Sequence, residues 1–489
     1  MSAFDFSNRK RPMRDRPFLF LLAGPLILAG CMTVGPDYHA PDIAPPAAFK
    51  NASKGTAVAL PKTEEWWSVF GDPALNELEH DALVHNPTIA QADANLAAAR
   101  AQLGVSRADR QPSLSLAETN QFAGEAATQI IPIPLNGRSI SYRPTSGDTY
   151  NIPLNASYEL DLWGRVRREV ESSNASLQAS EADFRGAGLS LTASLAQDYF
   201  QWRTVLVQLE IADRTIASRR DSLAVLTERN KSGLIDALDV ASAREQLAQA
   251  EATSADFKRL RNQYEDAIAV LAGHAPAGFA MPNLADGDSL SVPIPPEIPA
   301  GLPSDLLRRR PDVVSAERTL AAQTAQIGVA VAAKFPTIKL TGSGGLSSEG
   351  LSSLVSRASA LWSLGSSINL PILDGGRNDA NIAEARAHAD AALAAYRQQT
   401  LTAFREVEDA LVGIHWQAEE LEADQRAVEA AKETAKLTRI RYEKGLITYL
   451  DVANSERDYF SAQNTKAVVA GSQCLSTVAL IQAIGGGWN

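Results

Sequence analysis

Self-similarity constrains this chain more than any other feature. Adding 224 to Pro87, Leu96, Gln102, Gly104 and Pro112 lands on Pro311, Leu320, Gln326, Gly328 and Pro336. Adding 212 to Gly164-Arg165, Arg229, Gly233-Leu234-Ile235, Leu238-Asp239-Val240 and Gly273 lands on Gly376-Arg377, Arg441, Gly445-Leu446-Ile447, Leu450-Asp451-Val452 and Gly485. One unit is therefore used twice. The offset falls by 12 between Pro112 and Gly164, so the first copy carries 12 extra residues there, where a loop tolerates insertion.

Each copy changes period twice. Residues 88–110 and 312–334 are Ala-rich at helical spacing, and Pro112 and Pro336 stop those helices. Strand patterns follow. Tyr150, Ile152, Leu154, Ala156, Tyr158, Leu160 and Leu162 alternate with polar residues, and the second copy repeats the alternation from Trp362 to Ile372. Leu114–Leu116 and Ile338–Leu340 are candidate pairing strands, which gives one hairpin per copy with loops near 124–148 and 345–358. Beyond Arg165 and Arg377 the pattern is helical for a long stretch. Residues 167–231 predict about 100 Å of helix at ~1.5 Å per residue. Leu195, Trp202, Leu209, Ile216 and Leu223 form a seven-residue track, copied by Val407, Ile414, Leu421, Val428 and Ala435. That spacing calls for a partner helix wrapped alongside. Gly233 and Gly445 end the long helices at turns that need positive φ.

The N-terminus reads as an address. Arg9, Lys10, Arg11, Arg14 and Arg16 precede an apolar run from Phe18 to Ala29, which is short for a membrane span. Leu28-Ala29-Gly30-Cys31 resembles the lipobox of bacterial lipoproteins, whose Cys is acylated and becomes the new N-terminus. Met32, rather than Asp, follows Cys31, which by resemblance to sorted lipoproteins indicates the outer membrane. The chain thus divides into a signal peptide (1–30), a lipidated extended segment (31–65), repeat 1 (66–275), a Pro-rich linker (276–303), repeat 2 (304–485) and a tail (486–489).

Without residues 1–30 the formal charge is 41 − 55 = −14, which leaves no footprint for nucleic acid. Cys474 is the only other Cys, so there is no disulfide framework. After the signal no run of ~18 apolar residues occurs, and any membrane crossing must use strands. The six His are scattered, and neither a His-Glu-x-x-His nor a Cys-x-x-Cys pattern is present; the sequence predicts no enzyme, no cofactor and no metal site. Four strands per chain cannot close their own edges, and an open edge is excluded in lipid, so several chains must combine.

Nearly end to end, the chain resembles the outer-membrane factors of the TolC/OprM type, in their NodT-like lipoprotein branch. The resemblance rests on Cys31 with Gly35-Pro36-Asp37-Tyr38, Trp66-Trp67 through Asp72-Pro73, Leu160-Asp161-Leu162-Trp163-Gly164-Arg165, Leu302-Pro303-Ser304-Asp305-Leu306-Leu307, Arg310-Pro311-Asp312 and Gly485-Gly486-Gly487-Trp488. It implies a mainly α fold with a membrane β-barrel: a homotrimer whose hairpins build a twelve-stranded barrel and whose coiled-coil helices build a periplasmic tunnel. It also implies a periplasmic membrane-fusion adaptor and an inner-membrane pump of the RND type as partners. The function implied is a duct for small molecules in tripartite efflux or type I-like secretion. An alternative is a lipid-anchored coiled-coil scaffold with no pore.

The resemblance carries Tyr442 and Asp239 onto a hydrogen-bonded link that holds the tip closed, and Leu450 and Asp451 onto the constriction. A ring of Asp451 would attract cations. The bland alternative is capping: Thr448 to Asp451 has capping-box spacing, and Asp236 is placed to cap the other helix. Gly233 and Gly445 mark the turns expected to meet the adaptor. Tyr150, Tyr158, Trp163 and Trp362 are candidates for an interfacial aromatic belt or for plain sheet packing. Two departures from the pattern, Ile447 where a well-studied member has a basic residue and Asn454 where some members have an acidic one, imply a latch that is either looser or built from different pairs.

Overall fold

The duplication is reproduced in the long helices and in the strands flanking them in the computed structural model, which describes residues 33–51, 65–122, 129–132, 139–142, 148–282, 284, 292–299 and 308–487. The signal peptide, Cys31, the Leu302–Leu307 motif and Trp488 lie outside the described residues. In the first copy α1 (Pro73–His85) and α2 (Pro87–Ala108) lead into β1 (Ser113–Leu116), β2 (Thr119–Phe122), β3 (Gln129–Pro132), β4 (Ser139–Tyr142) and β5 (Asp148–Leu160). Then come α3 (Arg165–Lys231) and α4 (Ala237–Leu271). The second copy gives α5 (Pro311–Ala332), β6 (Thr337–Ser348), β7 (Ala360–Asn369), α6 (Arg377–Glu443) and α7 (Tyr449–Ala483). Helices α2 and α5 are both 22 residues, α3 and α6 both 67, and α4 and α7 both 35. Strand starts obey the same offsets, 337 − 113 = 224 and 360 − 148 = 212, so the extra residues lie between those strands. The expected loop at 124–148 is corrected there, because it contains the β3–β4 hairpin, paired from Gln129↔Tyr142 to Pro132↔Ser139. Two four-residue strands are too short to show a period.

Two compact units form, and each draws on both copies. The first comprises Met1–His39, Ala101–Ala175 and Ala321–Ala391; the second comprises Ala40–Arg100, Ser176–Leu320 and Ala392–Asn489.

The first unit holds an antiparallel sheet in the order β1-β5-β6-β7, with β2 continuing β1 along β5. The break between β1 and β2 lies opposite Pro153, which has no N–H to give to a ladder. Pro153 pairs on its other side with Gly345, where a Cβ would sit 2.2 Å from the Ile152 carbonyl oxygen. Register sorts the two faces over most central rows, with Ser366 in the Tyr158–Leu340 row and Leu361 beside Gly345 as the exceptions. One face reads Leu114–Ala156–Gly342–Leu364 and Leu116–Leu154–Gly344–Trp362 across four strands, then Leu160–Ile338–Ile368 across three. The other reads Ser113–Ser157–Thr341–Gly365 and Ser115–Asn155–Ser343–Ser363, then Glu159–Lys339–Ser367. The apolar face is bare, with Trp362 and Leu364 each 82% exposed. Thirteen residues of β5 give about 43 Å of strand, or about 30 Å of height at a ~45° tilt. That matches a bilayer core of ~30 Å. Among the described residues no helix is long and apolar enough to cross a membrane.

The segment after Cys31 is fastened to this unit. Val34 N–H donates to the Trp163 carbonyl at 3.0 Å. The buried Arg168 guanidinium donates to the carbonyls of Val34 and Gly35 at 3.2 and 3.3 Å and to Asp37 at 2.7 Å. Gly35 has φ +90, and a Cβ there would lie 2.4 Å from Gly328 Cα. The Gly35-Pro36-Asp37 motif is thus a docking strap whose backbone leaves no room for a side chain.

Among the described residues the regular elements of the second unit are all helices, and its sequence motifs are anchors. Trp66 and Trp67 are buried, and Trp66 Nε1 donates to Thr192 Oγ1 at 3.0 Å. Asp72 caps α1 by accepting from Ala74 and Leu75 N–H. The same carboxylate accepts from Tyr199 Oη at 2.6 Å and Arg203 at 3.1 Å. Burial and the Asp72 hydrogen bond push the Tyr199 phenol above its ordinary range. Part of the Pro-rich linker is packed rather than free. Cys474 Sγ donates to the Pro293 carbonyl at 3.1 Å, and burial pushes that thiol up to about 12, which leaves it unreactive.

Glu79 on α1 is 0% exposed, and among the described residues neither of its carboxylate oxygens has a hydrogen-bond partner. Desolvation raises its pKa well above the ordinary 4.5. The folded state therefore holds the proton more tightly than the unfolded chain does. Stability from this group is greatest at acid pH and falls as pH rises from the unfolded value toward the folded one. Glu79→Gln removes the ionisation and keeps the shape. Its melting temperature should exceed that of the wild type at pH 8, with an advantage of about 1.4 kcal/mol per pH unit across that window, and the difference should vanish near pH 4.5. A pH-independent difference would show that Glu79 does not titrate.

Candidate functional site

The turns between the long helices and their returns carry the residues that the sequence singles out as candidates for closing the tip. Both turns are built alike. Leu234 N–H reaches back to the Arg229 carbonyl at 3.0 Å, and Leu446 N–H to the Arg441 carbonyl at 3.0 Å. Gly233 and Gly445, each at φ +70, sit in the left-handed position that this helix stop requires. A Cβ at either would meet nothing within 4 Å, so the glycines answer to the backbone and not to crowding. Leu234, Leu238, Leu446 and Leu450 are exposed around the turns, giving each an open apolar rim.

Behind the turns four helices converge. Leu226 of α3, Val240 and Ala243 of α4, and Tyr449, Val452 and Ala453 of α7 form one buried cluster, with Tyr442 of α6 packed against it. The Tyr442 ring meets Tyr449 edge-on at 5.8 Å and carries the Arg229 guanidinium 5.5 Å from its centroid. Its hydroxyl is buried and has no hydrogen-bond partner among the described residues. The link expected between Tyr442 and Asp239 is therefore not formed here, and aromatic packing holds Tyr442 instead. Asp239 lies half-buried in the first turn of α4, whose N-cap is Asp236, accepting from Leu238 N–H at 3.3 Å. In the second copy the Asp451 carboxylate accepts from Thr448 N–H at 3.0 Å and from its hydroxyl at 2.8 Å. Asp451 thus takes part in the cap. It also lines a polar groove between α6 and α7 with Thr438, Arg441, Ile447 and Asp458.

The sequence reading missed the strongest feature of the tip. Arg219 of α3 and Glu456 of α7, with side chains 4% and 7% exposed, lie 3.3 Å apart. Arg219 also donates to Gln246 of α4 and to the Ala453 carbonyl of α7 at 3.2 Å. Arg439 of α6 closes on the other oxygen of Glu456. One carboxylate and two guanidiniums thus tie all four helices. Self-comparison could not reveal this group, because the equivalents of Arg219, Arg439 and Glu456 in the other copy are Ala431, Thr227 and Arg244. The one local signal is Glu456 itself, a charge four residues from Val452 on a buried helix face.

The four aromatics do not form one set. Trp362 is bare on the apolar sheet face, in the row of Leu116 and Leu154. Tyr158 lies in the apolar row with Leu340. Tyr150 meets Phe122 edge-on at 6.3 Å. Trp163 is committed to packing, since its Nε1 donates to the Pro336 carbonyl at 2.9 Å and its ring stacks on Phe335 at 4.6 Å.

A family profile described as "Outer membrane efflux protein" matches residues 78–274 and 302–486, one segment in each copy. The antibiotic efflux pump outer membrane protein ArpC of Pseudomonas putida is 35% identical over 485 residues, covering 97% of this chain and 96% of that protein. The cation efflux system protein CusC of Escherichia coli O6:H1 is 30% identical, covering 98% of this chain and 99% of that one. Among solved structures, the outer-membrane channel OprN superposes with a TM-score of 0.84 at 32% identity, covering 93% of this chain and 99% of that one.

Proposed function

The chain belongs to the outer membrane efflux protein family, and from that membership we propose how its own residues make and close the duct. It is the outer-membrane channel of an efflux system and works with an adaptor and an inner-membrane pump. The observation that carries the finer reading is the sheet four strands wide, with one bare apolar face, one Ser- and Thr-rich face and, among the described residues, unpaired edges at β1/β2 and β7. Such edges are not tolerated in lipid. Three copies in a ring join β7 of one to β1 of the next and close a twelve-stranded wall, apolar outside and polar within. The homotrimer is held in the outer membrane by that wall and by acylated Cys31.

The helical tips form the periplasmic gate. Leu450 and Asp451 narrow it, the clamp centred on Glu456 keeps it shut, and the exposed leucines beside Gly233 and Gly445 receive the adaptor's hairpins. The pump partner is of the RND type. ArpC and CusC are named for antibiotics and for cations. The cargo of this chain lies in that range of small, chemically diverse solutes, with selection made upstream.

Planar-bilayer recording on the purified oligomer tests this reading, beside a deletion strain challenged with antibiotics and metal cations. Wild type should be nearly silent, Leu450→Ala and Asp451→Ala should conduct, and the deletion should retain cargo. Mass spectrometry of the same preparation should find diacylglycerol on Cys31. Protein that never conducts, even as these variants, is a scaffold and not a duct.

A further inference from the structure

We propose that Asp81, His85 and His274 form a site for a divalent cation of Zn²⁺ type in the helical unit. The proposal does not depend on the duct reading. His85 is the last residue of α1, and Asp81 lies four residues earlier on the same helix face. His274 follows the turn that ends α4, 274 − 85 = 189 residues later. The fold brings His85 Nδ1 to 2.7 Å from one Asp81 oxygen and His274 Nε2 to 2.5 Å from the other. One donor atom from each residue lies within 4.8 Å of the other two. Two imidazole nitrogens and a carboxylate oxygen make up a common borderline-metal donor set, and distances of this size need only small side-chain rotations to converge at ~2.0–2.2 Å on one ion. All three side chains are partly open to solvent, which leaves an entry path and room for water ligands.

The frame that holds the site is rigid. Asn86 Nδ2 donates to the Leu271 carbonyl at 2.7 Å. Gly273, at φ +81, packs so closely that a Cβ would lie 2.4 Å from the His85 carbonyl oxygen. The His274 ring is stacked against Phe279 at 5.8 Å. The second copy builds the same frame from equivalent positions. Arg310 donates to the Ala483 carbonyl at 3.2 Å, and a Cβ on Gly485 would lie 3.1 Å from the Arg309 carbonyl oxygen. Yet its equivalents of His85 and His274 are Arg309 and Gly486. Packing at this corner therefore does not require imidazoles. The first copy adds them to a frame that stands without them, and adds them facing one carboxylate. A bound ion would cross-link the end of α1 to the end of α4 and make the stability of this unit depend on divalent cation.

The test uses the full-length protein in detergent, stripped with chelator and titrated with ZnCl₂ at pH 7.5. Expected are one Zn²⁺ per chain, a raised melting temperature, and weaker binding at pH 5.5 than at pH 7.5, because protons compete with metal for such ligands in general. His85→Asn and His274→Asn should each weaken binding at least about tenfold, with circular dichroism confirming the fold. His388→Asn, at an exposed His beside Glu384 on α6, should leave binding unchanged. Absence of a saturable site would overturn the proposal, as would equal affinity in wild type and both variants. Zn²⁺ binding lost with His388 and kept without His274 would place any ion elsewhere and overturn it equally.

Discussion

Glu456→Ala should cost about 3–5 kcal/mol of stability and should open the resting channel. Removing this carboxylate leaves Arg219 buried at 4% exposure with no counter-charge and deprives Arg439 of its partner. The residues proposed to form the gate lie on the same helices within two turns of the clamp. Leu450 and Asp451 precede Glu456 by six and five residues on α7, and Arg439 precedes Tyr442 by three on α6. Once the tie is gone, the buried cluster around Leu226, Val240, Tyr449 and Val452, with Tyr442 packed on it, is left to hold the tip. Differential scanning calorimetry reads the first effect and bilayer conductance the second. Glu456→Gln, which retains hydrogen-bonding oxygen and loses the charge, should fall between. The double replacement Arg219→Met with Glu456→Leu should recover stability, because an apolar pair needs no desolvation of ions. It should still conduct if the charges act as the latch. A destabilised Glu456→Ala channel that stays silent would show the clamp to be structural core only.

Gly345→Val should abolish the trimer. The new Cβ would lie 2.2 Å from the Ile152 carbonyl oxygen and 2.7 Å from Pro153 Cα, both backbone atoms of the neighbouring strand, so no rotamer relieves the clash. The β5–β6 pairing is also the only ladder that joins the strands of the two copies among the described residues. Strands forced apart there expose N–H and C=O groups to lipid, at several kcal/mol each. The readout is loss of the heat-resistant oligomer on a denaturing gel and loss of efflux complementation. Gly344→Ala supplies the control: it is adjacent, and a Cβ there meets nothing within 4 Å. Equal behaviour of the two variants would show that general strand weakening, and not the close approach to Pro153, is responsible.

Local sequence dictated the repeat, the lengths of the long helices, the period-two strands and the two helix-stopping glycines, but not the full length of β6, which runs on to Ser348. Each is written within a short window. A φ of +70 needs Gly233 whatever lies around it, and the alternation along β5 sorts apolar from polar before any partner strand is known. The capping spacing at Thr448 and Asp451 was equally local, and it formed. Tertiary structure alone decided which strand of one copy meets which of the other, and where the polar contacts at the tip fall. The expected Tyr442–Asp239 link gave way to a ring packed on Tyr449, while Arg219 and Glu456 met across 456 − 219 = 237 residues. His85 and His274, read along the chain as scattered, share one carboxylate in space. The two copies keep the same backbone frame but fill it with different side chains. The Glu456 clamp and the His85–His274 pair sit at positions where the copies differ, and only the packed helices bring them together.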